Sequence, residues 1–250
     1  MSLLQEELSI VVCSKSDYSG LVGTLDSLNS LYDDLPQIIL VLSDYSKDEL
    51  EKINKEFSLL KVNIIDSPSQ GIFHAQNLGL SKVKRRLVLF LNGGDKLKNP
   101  LGLQCLVSKI GLEIWGYGEI DLVEIDTLST KRYRFKYVRI LHRLGLKYVP
   151  HPATVVDAEV AIRFGGFDEN YASAADHKLL LTFSKHFSPV VVSDVISTFY
   201  RGGLSSRNQN EIVKDCKRIS REVFGYFLKN KLIDSLIWSS VLLGRMLIKN

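Results

Sequence analysis

Four short apolar runs, each closed by a polar loop, organise the first 92 residues: LSIVVCS (8–14), QIILVLSD (37–44), KVNIIDS (61–67) and RRLVLFLN (85–92). Between them lie LVGTLDSLNSL (21–31), SKDELEKINKEF (46–57) and GIFHAQNLGLSKV (71–83), whose apolar residues recur at helical spacing. Ser46 followed by Glu49 is a capping box opening the second of these. Strands that alternate with helices join through crossovers, so the pattern predicts a parallel sheet buried on both faces, the α/β class.

In such a sheet, ligands sit outside the carboxyl ends of the strands. Here those ends carry Ser14-Lys15-Ser16, Ser43-Asp44, Asp66-Ser67 and Asn92-Gly93-Gly94-Asp95. No GxGxxG follows the first strand and no GxxxxGK[ST] is present, so neither a dinucleotide fingerprint nor a P-loop accounts for this polar edge. A carboxylate behind two glycines, at the end of a buried strand, suits a divalent cation that holds a diphosphate. It equally suits a tight turn with a solvated aspartate, since Asn-Gly is also a strong hairpin signal.

With 250 residues, 45% hydrophobic and 24% charged, the chain can bury one large core. Past residue 96 the regularity fades. GYGEIDLVEID (116–126) and KRYRFKYV (131–138) read as strands of a smaller mixed sheet. Residues 159–186 read as a helix, a turn and a second helix starting near Ala174, and PVVVSDVISTFYRGG (189–203) returns to strand. Two amphipathic helices finish the chain from Glu211. The organisation expected is a first half over 1–98, a second over 99–210 and a helical extension over 211–250.

The net charge of +4 is modest, but KRYRFKYVRILHRLGLK (131–147) contains no acid. It is either a solvated face or a patch for something anionic. Without a nucleic-acid reading motif, a nucleic-acid partner is disfavoured. Cys13, Cys105 and Cys216 are far apart with no CxxC spacing, which argues against a zinc site and a disulfide framework. No window reaches the roughly 18 apolar residues of a spanning helix, and the N-terminus has no signal-peptide pattern. The expected location is cytoplasmic, with peripheral contact at the inner membrane face as an option.

SIVVCSKSDYSGLVGTLDSL, IILVLSDYSKDEL, SQGIFHAQNLGLSKVKRRLVLFLNGGDKL, HPATVVDAEVAIRFGGFDENYASAADHKLLLTFSK and FYRGGLSS stand in the order and spacing of the family 2 glycosyltransferases. The chain resembles that family over residues 8 to about 206, most of all the branch that builds bacterial surface polysaccharides, including colanic-acid-type enzymes. The resemblance implies a GT-A fold, with a nucleotide-binding parallel βαβ half continuous with a smaller mixed-sheet acceptor half. It implies inverting sugar transfer from a nucleotide-sugar donor, usually with Mg²⁺ or Mn²⁺, to a glycan or polyprenyl-diphosphate-linked acceptor.

Residue by residue, it places Ser14 and Lys15 in the loop that wraps the nucleotide, although a strand-end lysine is often just solvated. Ser43 and Asp44 fall at the segment that contacts base or ribose; Ser43 replaces the usual aspartate, and Asp44 could instead cap the following helix. Asn77 falls in a motif similar to GIYDAMNKGI, as a buried amide facing the nucleotide, and His74 there has no inherited role. Asn92 and Asp95 stand at the diphosphate and metal, with Gly94 where the second aspartate of DxD is usual. Asp176 aligns with the base that takes the acceptor's proton; read alone, it is equally an N-terminal helix cap. His151, stiffly held beside Pro152, suits a sugar or phosphate contact or simple packing on the core. Arg201 lies either near the diphosphate, in a lid formed by YRGGLSS, or on the surface. Asp168 fixes the turn after GGF.

Two other classes compete. A nucleotidyltransferase would carry a glycine- and arginine-rich loop after the first strand, which CSKSDYSG does not. A non-catalytic nucleotide-sugar or glycan-binding relative is compatible with the departures at Ser43 and Gly94.

Overall fold

The computed structural model describes residues 2–201, 209–226 and 231–247. In chain order it contains α1 (Leu3–Glu7), β1 (Leu8–Lys15), α2 (Tyr18–Leu28), β2 (Gln37–Ser43), α3 (Lys47–Glu56), β3 (Asn63–Asp66), α4 (Ile72–Leu80), β4 (Leu87–Asn92), β5 (Lys96–Leu97) and α5 (Pro100–Ile110). There follow β6 (Trp115–Glu124), β7 (Thr130–Tyr133), α6 (Arg139–Arg143), β8 (Thr154–Asp157), α7 (Ala158–Arg163), α8 (Ala175–His186), β9 (Val190–Arg201), α9 (Gln209–Phe224) and α10 (Lys231–Leu247). α3 opens with the expected capping box between Ser46 and Glu49.

The nine strands of the described residues belong to one sheet in the order β3-β2-β1-β4-β8-β6-β9-β5, with β7 added on β6. β3, β2, β1 and β4 run parallel. β8 pairs antiparallel with β4 and β6, and β9 runs parallel to β6. The mixed strands of the second half therefore extend the first sheet instead of forming their own. From β1 the chain proceeds outward through β2 to β3, then returns to place β4 on β1's other side. That reversal opens a crevice at the carboxyl ends of β1 and β4, where open α/β sheets bind their ligands. Register fixes what meets there: Cys13 lies beside Asn92, and Lys15 beside Ser43.

The period of two in the strands sorts their side chains between two cores. Ile10, Val12, Leu40, Leu42, Leu89 and Leu91 pack against Leu21 and Leu25 of α2 and Leu103 and Leu106 of α5. Val11, Cys13, Ile39, Val41, Val88 and Phe90 face the other way, against Phe73 of α4 and Leu179, Leu180, Leu181 and Phe183 of α8. α4 seats so closely that a Cβ on Gly79 would fall 2.4 Å from a methyl of Val11. A third cluster, around Val213, Cys216, Trp238 and Val241, fastens α9 to α10.

Three elements differ from the sequence reading. α5 was not expected, although Asn99 caps it, Pro100 opens it and Gly111 ends it at φ +50°. KRYRFKYV forms a strand only to Tyr133, because beyond it Phe135 and Tyr137 turn to pack on Tyr117 and Trp115. The short strand β8 was also not anticipated.

Candidate active site

The crevice is shaped first by the turn after β4. Gly93 donates its N–H to Cys13 O at 2.8 Å, and a Cβ there would lie 2.4 Å from Ser14 Oγ. Only a glycine lets the two strand ends approach so closely. Gly94 takes φ +100°, which favours glycine, and its N–H donates to Thr24 Oγ1 at 2.9 Å on α2. Asp95 then folds back so that its Oδ2 accepts from Asn92 N at 2.8 Å. Thus part of the answer to NGGD is local: the carboxylate closes its own turn.

That closure leaves a carboxylate in a costly place. Asp95 is 4% exposed, and burial pushes its pKa up to about 7, opposed only by the Asn92 N–H. Among the described residues no cationic side chain contributes to its stabilisation. Among the described residues no group of three His, Cys, Asp or Glu side chains gathers to hold a metal. A single desolvated carboxylate without a cationic partner nevertheless fits a divalent ion whose remaining ligands are diphosphate oxygens and water. The residues present therefore fit Mg²⁺ or Mn²⁺ through Asp95, as one protein ligand.

At the carboxyl ends of β1 and β2, Ser14 is buried and bonded to Tyr45 Oη at 2.7 Å. Ser43 is buried at the end of β2. Lys15 and Asp44 are exposed and pair with each other at 3.5 Å, an arrangement worth at most about 1 kcal/mol. Asp44 adopts φ +59° and does not cap α3; Ser46 does. Ser14, Lys15, Ser43 and Asp44 thus line one rim, brought together by the β1–β2 register.

The structure places Asn77 in a different environment from the expected nucleotide face. Its Oδ1 accepts from Phe167 N at 2.8 Å, while its Nδ2 donates to Phe167 O and to Glu169 Oε1, each at 2.8 Å. The amide clamps the turn after Gly166, whose φ is +65°. Glu169 also meets His74 Nδ1 at 3.2 Å. Asp168 holds the same turn: it accepts from Asn170 N and from Lys178 Nζ, and the Lys178 ammonium lowers its carboxyl pKa to about 2. Asn77→Ala removes three hydrogen bonds and is expected to destabilise the protein by about 2–3 kcal/mol, with nucleotide affinity unchanged. Chemical denaturation and nucleotide titration of the variant check both halves; a large loss of affinity in a stable protein would return Asn77 to the nucleotide.

Asp176 sits in the first turn of α8. The N-cap is Ala174, which makes no side-chain cap bond, so Asp176 is not the cap. It lines a small cavity with His151, Phe90, Thr154, Phe167 and Leu180. His151 stacks on Phe90 at 5.9 Å and meets the edge of Phe167 at 5.8 Å. Burial lowers the His151 pKa, and the nearby Asp176 carboxylate opposes this. The two residues that the sequence places at the acceptor side therefore face one cavity.

Gln76 was missed. It is 1% exposed, and its Nε2 lies 3.3 Å from Asn92 Oδ1 and 3.2 Å from His151 Nε2. A buried amide next to the singled-out Asn77 was the only available signal. Arg201 ends β9, and its side chain lies outside the described residues, as does most of the YRGGLSS segment.

A parallel βαβ half with a switch-point crevice, continued in the same sheet by mixed strands, is the GT-A fold. Comparison with known proteins agrees: residues 9–98 match the model of Glycosyl transferase family 2. An uncharacterized glycosyltransferase of Mycobacterium tuberculosis strain H37Rv, Rv1514c, is 27% identical over 158 residues, which is 61% of this chain and 59% of that protein. The match thus spans about three-fifths of the relative's length. Among solved structures, S. aureus TarS 1-349 in complex with UDP is similar with a TM-score of 0.68 at 15% identity, covering 94% of this chain and 70% of that one. Mannosyltransferase PcManGT from Pyrobaculum calidifontis, in complex with GDP-Man and Mn²⁺, is similar with a TM-score of 0.57 at 14% identity, covering 78% of this chain and 57% of that one.

Proposed function

We propose that the protein is an inverting glycosyltransferase that moves a sugar from a nucleotide-sugar to a hydroxyl of a glycan or lipid-linked acceptor. The observation that carries this reading is the placement of Asp176. The carboxylate faces the His151 cavity, and Gln76 links that cavity to Asn92 at the carboxyl end of β4. Inversion needs a base on one face of the donor sugar and a leaving diphosphate on the other. In this account Asp176 accepts the acceptor's proton as the new C–O bond forms, while the strand-end rim of Ser14, Lys15, Ser43 and Asp44 holds the nucleotide. Asn92 orients the diphosphate. Asp95 would hold Mg²⁺ or Mn²⁺, whose positive charge would stabilise the leaving group.

The family 2 match over residues 9–98 supports the donor half of this reading. The UDP bound by TarS and the GDP-Man bound by PcManGT support a nucleotide-sugar as the ligand class. Synthesis of a bacterial surface polysaccharide, as in the colanic-acid-type branch, is the role proposed, at the cytoplasmic face of the membrane. Peripheral contact there is favoured by Leu232 and Leu236, exposed on α10 beside Lys231. No helix among the described residues is long and apolar enough to cross a membrane.

The test is consumption of a panel of UDP-, GDP- and dTDP-sugars, read as release of the nucleoside diphosphate with and without bacterial membrane lipid extract. Release from one donor that rises with the extract is expected. Binding of a donor with no turnover under any condition would favour the non-catalytic relative.

A further inference from the structure

We propose that Gln76 is a positioning residue that joins the two halves of the site, holding Asn92 on one side and fixing which nitrogen of His151 carries the proton on the other. The inference rests on the donor and acceptor assignments above, but its geometry stands by itself. Gln76 lies on α4, with its side chain between the end of β4 and the segment that leads into β8. Its Nε2 carries two hydrogens and has two partners within reach, Asn92 Oδ1 at 3.3 Å and His151 Nε2 at 3.2 Å. Both partners then act as acceptors.

An imidazole that accepts at Nε2 is neutral and carries its single proton on Nδ1. Packing reinforces the arrangement, because Phe90 stacks on the ring and Phe167 closes its edge. The titratable group facing His151 is Asp176, across the shared cavity. A neutral ring there places no positive charge from His151 beside the Asp176 carboxylate. Were His151 to donate from Nε2 instead, Gln76 would have to turn its amide and present its oxygen to both neighbours.

The amide has a second notable feature. Gln76 Oε1 is buried and has no hydrogen-bond partner among the described residues. A buried acceptor left unsatisfied is expensive, so the amide is retained against a cost that an apolar side chain of the same length would avoid. Holding Asn92 and His151 accounts for that cost.

The experiment uses ¹⁵N-labelled full-length protein without ligand, so it does not depend on turnover or on knowing the donor. Long-range ¹H–¹⁵N correlation reports which ring nitrogen of each of the five histidines is protonated. Wild type is expected to show His151 in the Nδ1–H form. Gln76→Met, apolar and of similar length, should lose that signature while the other four histidines keep theirs, which controls for folding. Gln76→Glu supplies a carboxylate that only accepts, and it should drive the proton to Nε2. If the wild-type ring already carries its proton on Nε2, or if both variants leave its form unchanged, the proposal is overturned. Nucleotide titration of wild type reports separately on the donor assignment, so the two readings fail independently.

Discussion

Asp176→Asn is expected to lower the transfer rate by about 10²–10⁴-fold, the usual contribution of a positioned general base, while leaving nucleotide affinity and donor KM close to wild type. The reasoning separates chemistry from structure. Asp176 lies in the first turn of α8 and is not its cap, so neutralising it forfeits only the helix-dipole interaction, about 0.3–1 kcal/mol. The amide keeps the shape of the carboxylate but cannot take a proton. A large fall in kcat with a nearly unchanged melting temperature is therefore the signature of a base. Steady-state kinetics on the variant checks it; activity within about tenfold of wild type would assign the proton transfer elsewhere.

Asp95→Asn is expected to act in opposite directions on stability and function. Burial raises the Asp95 carboxyl from 3.8 to about 7. Between those values the unfolded chain has released its proton while the folded protein retains it, so stability falls as pH rises and the full cost is present above pH 7. That cost is about 4 kcal/mol at most, at about 1.4 kcal/mol per pKa unit. An amide can still accept from Asn92 N and carries no charge to bury. The variant should therefore be more stable than wild type by a few kcal/mol at pH 8, with the difference fading towards pH 4. Urea unfolding at the two pH values measures this, and an equal gap at both would place the cost elsewhere. The same substitution removes the carboxylate proposed to hold the cation. Metal-dependent nucleotide binding should weaken by at least about tenfold, and added Mn²⁺ with nucleotide should stabilise wild type only.

Much of the first half was legible because its signals are local. Short apolar runs, separated by segments of helical spacing, gave β1 to β4 and their crossovers, and the Ser46–Glu49 box placed the start of α3 within a residue. The strand-end residues followed from topology alone. The second half was harder to read, since its strands are short or interrupted: β8 has four residues, and β7 stops where Phe135 and Tyr137 leave the ladder for an aromatic cluster. α5 carried its signals in plain view, with Asn99-Pro100 at one end and Gly111 at the other.

Within the candidate site, residue type pointed to groups but not to what they face. Asp95 was singled out for a cation and a diphosphate, whereas its bond to the Asn92 backbone is a matter of three-residue turn geometry. Asn77 and Gln76 are adjacent on one helix, and helical geometry alone sends one to the Phe167 turn and the other between Asn92 and His151. A pattern of identities in sequence does not distinguish those two directions. The Lys178 bond to Glu222, which ties α8 to α9, likewise joins residues 44 positions apart.

The central claim is that the carboxyl edge of β1, β2 and β4 holds a nucleoside diphosphate. Calorimetric titration of the protein with UDP, GDP and dTDP, each with Mn²⁺ and again with EDTA, tests it most directly. The account predicts that one of the three binds, that EDTA weakens that binding, and that Asp95→Asn weakens it to a similar degree. Absence of binding by all three nucleotides in the presence of Mn²⁺ would contradict it, leaving a shared fold without the donor site.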